Sequence, residues 1–201
     1  MLNYFENYKK EIQLLLSQVN EPFLNKTVEI LIDAYNEDKQ IFIIGNGGSA
    51  AIANHFAYDL GNNIFTNDNI RKFRFISLCA NTSAILAIAN DTSFEYIFSQ
   101  QLTNLLNQGD VLIVVSASGK SENLVAACAY AKNSGAKIIT LAGFSGGKIK
   151  DYADAEMSLD SESYGAIEDV HHIILHSLTA YFQSNHQRFF EGVSENEIVF
   201  N

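Results

Sequence analysis

The sequence predicts an α/β fold of three layers. A parallel five-stranded sheet is covered by helices on both faces, with two extra helices at the N-terminal end. Three observations carry this expectation. Ile41-Phe42-Ile43-Ile44 and Val111-Leu112-Ile113-Val114-Val115 are unbroken apolar runs, as expected of parallel strands buried on both sides. Each is followed by a Gly- or Ser-rich turn and then by apolar residues at helical spacing, the alternation that builds a parallel sheet. Two amphipathic stretches precede the first strand. The chain has 201 residues and 47% hydrophobic content, enough to fill a core, so residues 1–201 are read as one domain.

Phe5, Tyr8, Ile12, Leu15, Leu16 and Val19 predict a first helix from about Leu2 to Val19. Pro22 suits the first turn of a second helix, which carries Leu24, Val28, Leu31, Ile32 and Tyr35 and ends near Asn36. This helical pair, residues 1–36, predicts packing against another subunit. The first strand leads through Gly45-Asn46-Gly47-Gly48-Ser49 into a helix closed by Gly61-Asn62-Asn63. A polar loop through Thr66 to Asn69 precedes a second strand, Lys72 to Leu78. Thr82-Ser83 caps a short helix to Ile88, Asn90 to Ser93 break the chain, and a helix runs from about Phe94 to Leu106. After the third strand, Ser116 to Ser121 open a helix with Leu124, Val125, Cys128 and Ala131. Ile138 to Leu141 and Glu156 to Leu159 are the last two strands. A long helix from Ile167 to Ser184 and a weakly periodic tail, 185–201, finish the chain.

The formal charge of −10 offers no basic stripe for a nucleic-acid backbone. No apolar run reaches the ~18–20 residues of a membrane span. Charged residues interrupt Leu2 to Val19, so it is not a signal peptide, and a cytoplasmic protein is expected. Cys79 and Cys128 sit in apolar surroundings without CxxC spacing and are read as reduced.

The turn after the first strand suits an anion, because glycines allow close backbone approach and the next helix points free N–H groups at it. It also fits G-x-G-x-x-A, but the next strand ends in Leu78-Cys79-Ala80-Asn81, without the acid a dinucleotide ribose needs. Gly119-Lys120-Ser121 imitates the end of a P-loop, yet Val114 stands where its first glycine is required. Ser116, Ser118 and Ser121 are better read as hydroxyl donors around a phosphate. Ser121 as a plain helix cap is the competing reading. His55 and Asp59 lie one helical turn apart. The last helix adds Glu168, Asp169, His171, His172 and His176, with Glu168, His172 and His176 on a narrow arc. Together these are metal or acid–base candidates.

Gly45 to Ala51, His55-Phe56-Ala57, Ala89-Asn90-Asp91, Ser116 to Ser121 and Ile167 to His176 together resemble the sugar isomerase (SIS) family. The resemblance spans roughly Leu31 to Phe182 and is strongest to members acting on seven-carbon sugar phosphates. It implies the SIS fold and an aldose–ketose isomerase converting sedoheptulose 7-phosphate to D-glycero-D-manno-heptose 7-phosphate through a cis-enediol. Such a product feeds lipopolysaccharide or capsule precursors. The resemblance further implies that Asn46, Gly47, Gly48, Asn90 and Asp91 contact substrate. It places the phosphate at Ser116, Ser118 and Ser121, with Ala117 and Glu168 also in the substrate site. His55, Asp59, Glu168 and His176 would hold one Zn²⁺ per subunit, with Asp59 as base and His176 as acid. A homotetramer with sites at subunit interfaces is implied as well. Three positions depart from the family pattern: Asp59 for Glu, Glu168 for Gln and Ala117 for Thr. A base set back by about 1 Å can cost roughly 100-fold in rate. Glu168 adds a negative charge that favours a bound cation. Two alternatives stand beside this expectation: a non-catalytic tetrameric module like the DnaA initiator-associating protein, and an isomerase of another phosphosugar.

Overall fold

The structure, a computed structural model, describes residues 1–63, 71–186 and 189. Helices α1 (Leu2–Leu16) and α2 (Glu21–Asn36) precede strand β1 (Gln40–Gly45) and helix α3 (Gly48–Tyr58). A π-helical turn, Asp59–Asn63, extends α3, and β2 (Arg74–Ser77) follows. Next come α4 (Thr82–Asp91), a 3₁₀ turn (Phe94–Tyr96), α5 (Ser99–Leu105), β3 (Val111–Ser116) and α6 (Glu122–Asn133). The chain continues with β4 (Lys137–Ala142), two 3₁₀ turns, β5 (Ala155–Ser158) and α7 (Tyr164–Ser184). The expected polar loop at 66–69 and nearly all of the tail 185–201 lie outside the described residues.

The sheet is parallel throughout, in the order β2-β1-β3-β4-β5. Side chains alternate across each strand, so one apolar run serves two cores. Ile41, Ile43, Val111, Ile113 and Val115 meet α1, α2, α3 and α7 on one face. Phe42, Ile44, Leu112 and Val114 meet the α5 and α6 side chains Leu102, Leu124, Cys128 and Ala131 on the other. Cys79 and Cys128 are both free thiols, and burial pushes Cys128 up to about 12. Among the described residues, no helix is long and apolar enough to cross a membrane.

Several boundaries differ from the expected ones for local reasons. α1 stops at Leu16 because Gln18 and Val19 close tight turns onto the Leu15 and Leu16 carbonyls. The second strand is shorter than Lys72 to Leu78, since β2 is an edge that pairs only with β1. α4 is capped by Asn81, whose side chain accepts from the Ala84 N–H at 3.1 Å, rather than by Thr82-Ser83. It runs through Asn90 and Asp91, where a break is expected from the sequence. The helix expected from Phe94 splits into a 3₁₀ turn and α5.

The strand order determines where a ligand can go. The chain moves from β1 outward to β2, then crosses back to β3 on the other side of β1. The connections leaving β1 and β3 therefore run to opposite faces and leave a crevice between them at the carboxyl ends of the strands. Asn46 follows β1 and Ser116 ends β3, so both motif turns border that crevice.

Candidate active site at the switch point

The turn after β3 is fixed by its own backbone. The Ser116 hydroxyl, buried, accepts the Gly119 N–H at 3.0 Å. The Gly119 carbonyl accepts from Lys148 at 2.8 Å and Ile149 at 3.2 Å, tying the turn to the loop after β4. Gly119 has φ +62° and packs on the Gly146-Gly147 backbone, so a side chain there would be strained and without room. The Ala117 carbonyl accepts the Gly143 N–H at 2.8 Å. Ser121 stands at the N-cap of α6 but makes no side-chain capping bond. Ser121 lines the crevice at the start of α6, the kind of position where helices bind anions.

The first turn is locked to the second by two amides. Asn46 and Asn123 exchange two hydrogen bonds of 2.9 Å each, and Asn123 also accepts from the Leu124 N–H at 2.9 Å. Asn123 is buried. Sequence reasoning passed over it, and only its place two residues into the helix after the serine turn could have marked it. The crevice is lined by Asn46, Ser49, Ser116, Ala117, Ser118 and Ser121, and α7 closes it with Tyr164 and Glu168. Gly48 is what admits Glu168. A Cβ on Gly48 would lie 2.8 Å from the Glu168 carboxyl carbon. The Ser49 hydroxyl sits 3.5 Å from Glu168 Oε1.

Further along the same wall, α3 and α7 bring four polar side chains together. His55 Nδ1 lies 2.9 Å from His172 Nε2. Asp59 Oδ2 is 3.4 Å from His55 Nε2 and 3.8 Å from His176 Nε2. Asp59 begins the π-helical turn, which widens the helix at this point. The ring centroids of His55 are 5.0 Å from those of both His172 and His176, and the latter two are 4.3 Å apart. Ring nitrogens of His55, His172 and His176 lie within 4.8 Å of one another, close enough to share one metal ion. Burial lowers the pKa of His172, the neighbouring His176 and His55 lower it further, and Asp169 and Asp59 oppose them. A neutral imidazole is the form that binds metal.

His171 points the other way. It is fully buried, and burial pushes it down to about 4. The Ala142 backbone opposes that shift, and neither ring nitrogen makes a hydrogen bond of normal geometry. Tyr8 donates to Asp169 at 2.6 Å and holds α1 against α7. Burial and then that bond raise the phenol to about 12.

The structure therefore brings Asn46, Gly48, Ala117, the three serines and Glu168 to the crevice, and His55, Asp59 and His176 to the wall beyond it. Asn90 and Asp91 do not line the crevice within one chain. They are exposed at the end of α4, bonded to each other at 2.7 Å. The roomier cleft lined by Glu29, Asp33, Glu37, Lys137 and Asp154 lies at the amino ends of the strands, away from both motif turns.

Comparison with known proteins gives concordant matches. The SIS domain family profile matches residues 4–143. The phosphoheptose isomerase of a Nitratiruptor species is 40% identical over 181 residues, covering 89% of this chain and 96% of that one. A phosphoheptose isomerase of Helicobacter pylori is 37% identical over 174 residues, covering 87% and 89%. Among solved structures, a phosphoheptose isomerase from Neisseria gonorrhoeae superposes with a TM-score of 0.81 at 28% identity, over 91% of this chain and 96% of that one. One from Francisella tularensis gives 0.80 at 27% identity, over 90% and 94%.

Proposed function

The chain belongs to the SIS domain family, and on that premise we propose that it is a phosphosugar isomerase acting on sedoheptulose 7-phosphate. The product is D-glycero-D-manno-heptose 7-phosphate, a precursor for surface polysaccharide. One observation carries the reading: the crevice bordered by the anion-binding turn is closed by α3 and α7 through Ser49 and Glu168, and the same two helices carry the carboxylate–imidazole group farther along. From Ser49 to His55 the α3 axis rises by about 9 Å. A sugar phosphate anchored among Ser116, Ser118 and Ser121 then extends its carbonyl end toward Asp59 and His176.

Asp59 removes the proton from the hydroxyl-bearing carbon beside the carbonyl, and the proton of that hydroxyl passes to the former carbonyl oxygen, so that a cis-enediol in its enediolate form results. His176 then supplies a proton to the neighbouring carbon. The serine turn binds the unreacting end, and that binding energy holds the reacting carbons in place. The crevice seats the sugar hydroxyls against Asn46, the Gly47-Gly48 backbone and Glu168. The donor set of imidazoles and carboxylate fits a zinc ion. The family's ligand pattern falls on His55, Asp59, Glu168 and His176. When bound there, Zn²⁺ would polarise the carbonyl and hydroxyl oxygens.

We read the chain as one SIS domain, cytoplasmic and homotetrameric, with Asn90 and Asp91 reaching a neighbouring subunit's site. α4 supports this: the helix is apolar, yet none of its residues is buried, and Leu86 is 64% exposed. The test is isomerisation of sedoheptulose 7-phosphate by the purified chain, zinc-supplied and then chelated. Turnover that falls on chelation is expected. No turnover with zinc present would overturn the reading in favour of a binding module.

A further inference from the structure

We propose that His172 is a direct ligand of the metal, which then sits among the imidazoles of His55, His172 and His176, leaving Glu168 to face the sugar. The inference rests on the metal site of the proposed function but departs from the ligand pattern carried by family resemblance. That pattern contains Glu168 and omits His172.

Three observations favour it. First, His55, His172 and His176 each offer a nitrogen within 4.8 Å of the other two, and neither Glu168 nor Asp59 belongs to that group. Bonds of about 2.0–2.1 Å in a tetrahedron set neighbouring nitrogens roughly 3.4 Å apart. The present 2.9 Å between His55 and His172 needs to open by only tenths of an ångström. Second, Glu168 is aimed elsewhere. It fills the space left by the missing side chain of Gly48 and lies beside Ser49, on the crevice. Third, His172 lies one helical turn beyond Glu168, about 6 Å along α7, on the side of His176.

The exchange has a chemical consequence. With both Asp59 and Glu168 bound, the dication would be neutralised. With three neutral imidazoles as ligands, the ion would keep its positive charge to stabilise an oxyanion on the sugar, and Asp59 would stay free to act as the base. The Glu168 carboxylate is then free to accept hydrogen bonds from sugar hydroxyls.

X-ray absorption on the zinc-loaded full chain counts imidazole ligands directly and needs no variant. Three are expected in the wild type and two in His172→Ala and in His172→Gln. Zinc affinity should fall by more than about 100-fold in both variants, beyond the 10- to 100-fold cost of losing an outer hydrogen-bond partner. Glu168→Gln should keep three imidazoles and the wild-type affinity. A wild-type count of two, or a smaller loss with an unchanged count in the His172 variants, would overturn this inference while leaving the proposed function standing. A wild type that binds no zinc would overturn both the inference and the metal site it rests on.

Discussion

The turn after β3 and the imidazole wall of α3 and α7 are neighbours built by opposite means. In the turn, the Gly119 carbonyl, the Ala117 carbonyl and the Ser116 hydroxyl all have partners within the chain, and Asn123 locks the facing loop. The turn is therefore organised before any ligand arrives, which lowers the entropic cost of binding. The wall is different. His55 and His176 are about half exposed, and their contacts are mostly with each other, His172 and Asp59. On the proposed function, its geometry would be fixed by a bound ion. On the same reading, recognition belongs to the preorganised turn and chemistry to the more exposed wall.

Substitutions on the two sides should separate cleanly. The largest effect belongs to Asp59→Ala, which should lower kcat by roughly 10²- to 10⁴-fold. Thermal unfolding and phosphate binding should be nearly unchanged. Retained kcat would remove Asp59 as the base. Ser121→Ala should act on the other side, raising KM for the phosphosugar about 10-fold through loss of one hydrogen bond to a charged group. Zinc affinity measured by competition should not move. A change in zinc affinity would show that the two regions are not independent.

The buried back of α7 gives a third handle. His171 has its pKa lowered to about 4 by burial, so between pH 6.5 and 4 the unfolded chain binds the extra proton. Stability is full above about pH 6.5 and falls as the pH drops, by about 2 kcal/mol at pH 5 from this residue alone. Urea unfolding at pH 7 and pH 5 should give that difference in the wild type, and a smaller one in His171→Gln. Equal slopes would mean that His171 is not held neutral. The smallest effect is expected for Tyr8→Phe, which removes the bond to Asp169 and should cost about 0.5–1.5 kcal/mol in the same assay.

Much of this was legible in the sequence because local chemistry decides it. The run Ile41–Ile44 reads as a strand covered on both faces, and Gly119 with its serines reads as a turn at a strand end. His55 and Asp59 were paired by helical spacing alone. What stayed hidden depends on contacts distant in the chain. Nothing near Asn123 tells that it will meet Asn46. Nothing near Glu168 tells that the bare α-carbon of Gly48 will receive its carboxylate. His172 was visible on the arc with His176, but its approach to His55 depends on how α3 crosses α7. The extent of α4 was misjudged because Asn90 and Asp91 read as a break, whereas a good cap at Asn81 carries the helix through them.

The central claim is that one molecule spans both regions, its phosphate in the turn and its carbonyl at the wall. The most direct measurement compares kcat/KM for sedoheptulose 7-phosphate and for the same ketose without phosphate, in the wild type and in Ser121→Ala. A strong wild-type preference for the phosphorylated sugar, reduced in Ser121→Ala through the phosphorylated substrate alone, is the predicted result. Equal use of the two sugars, or a Ser121→Ala penalty that falls on both alike, would contradict it.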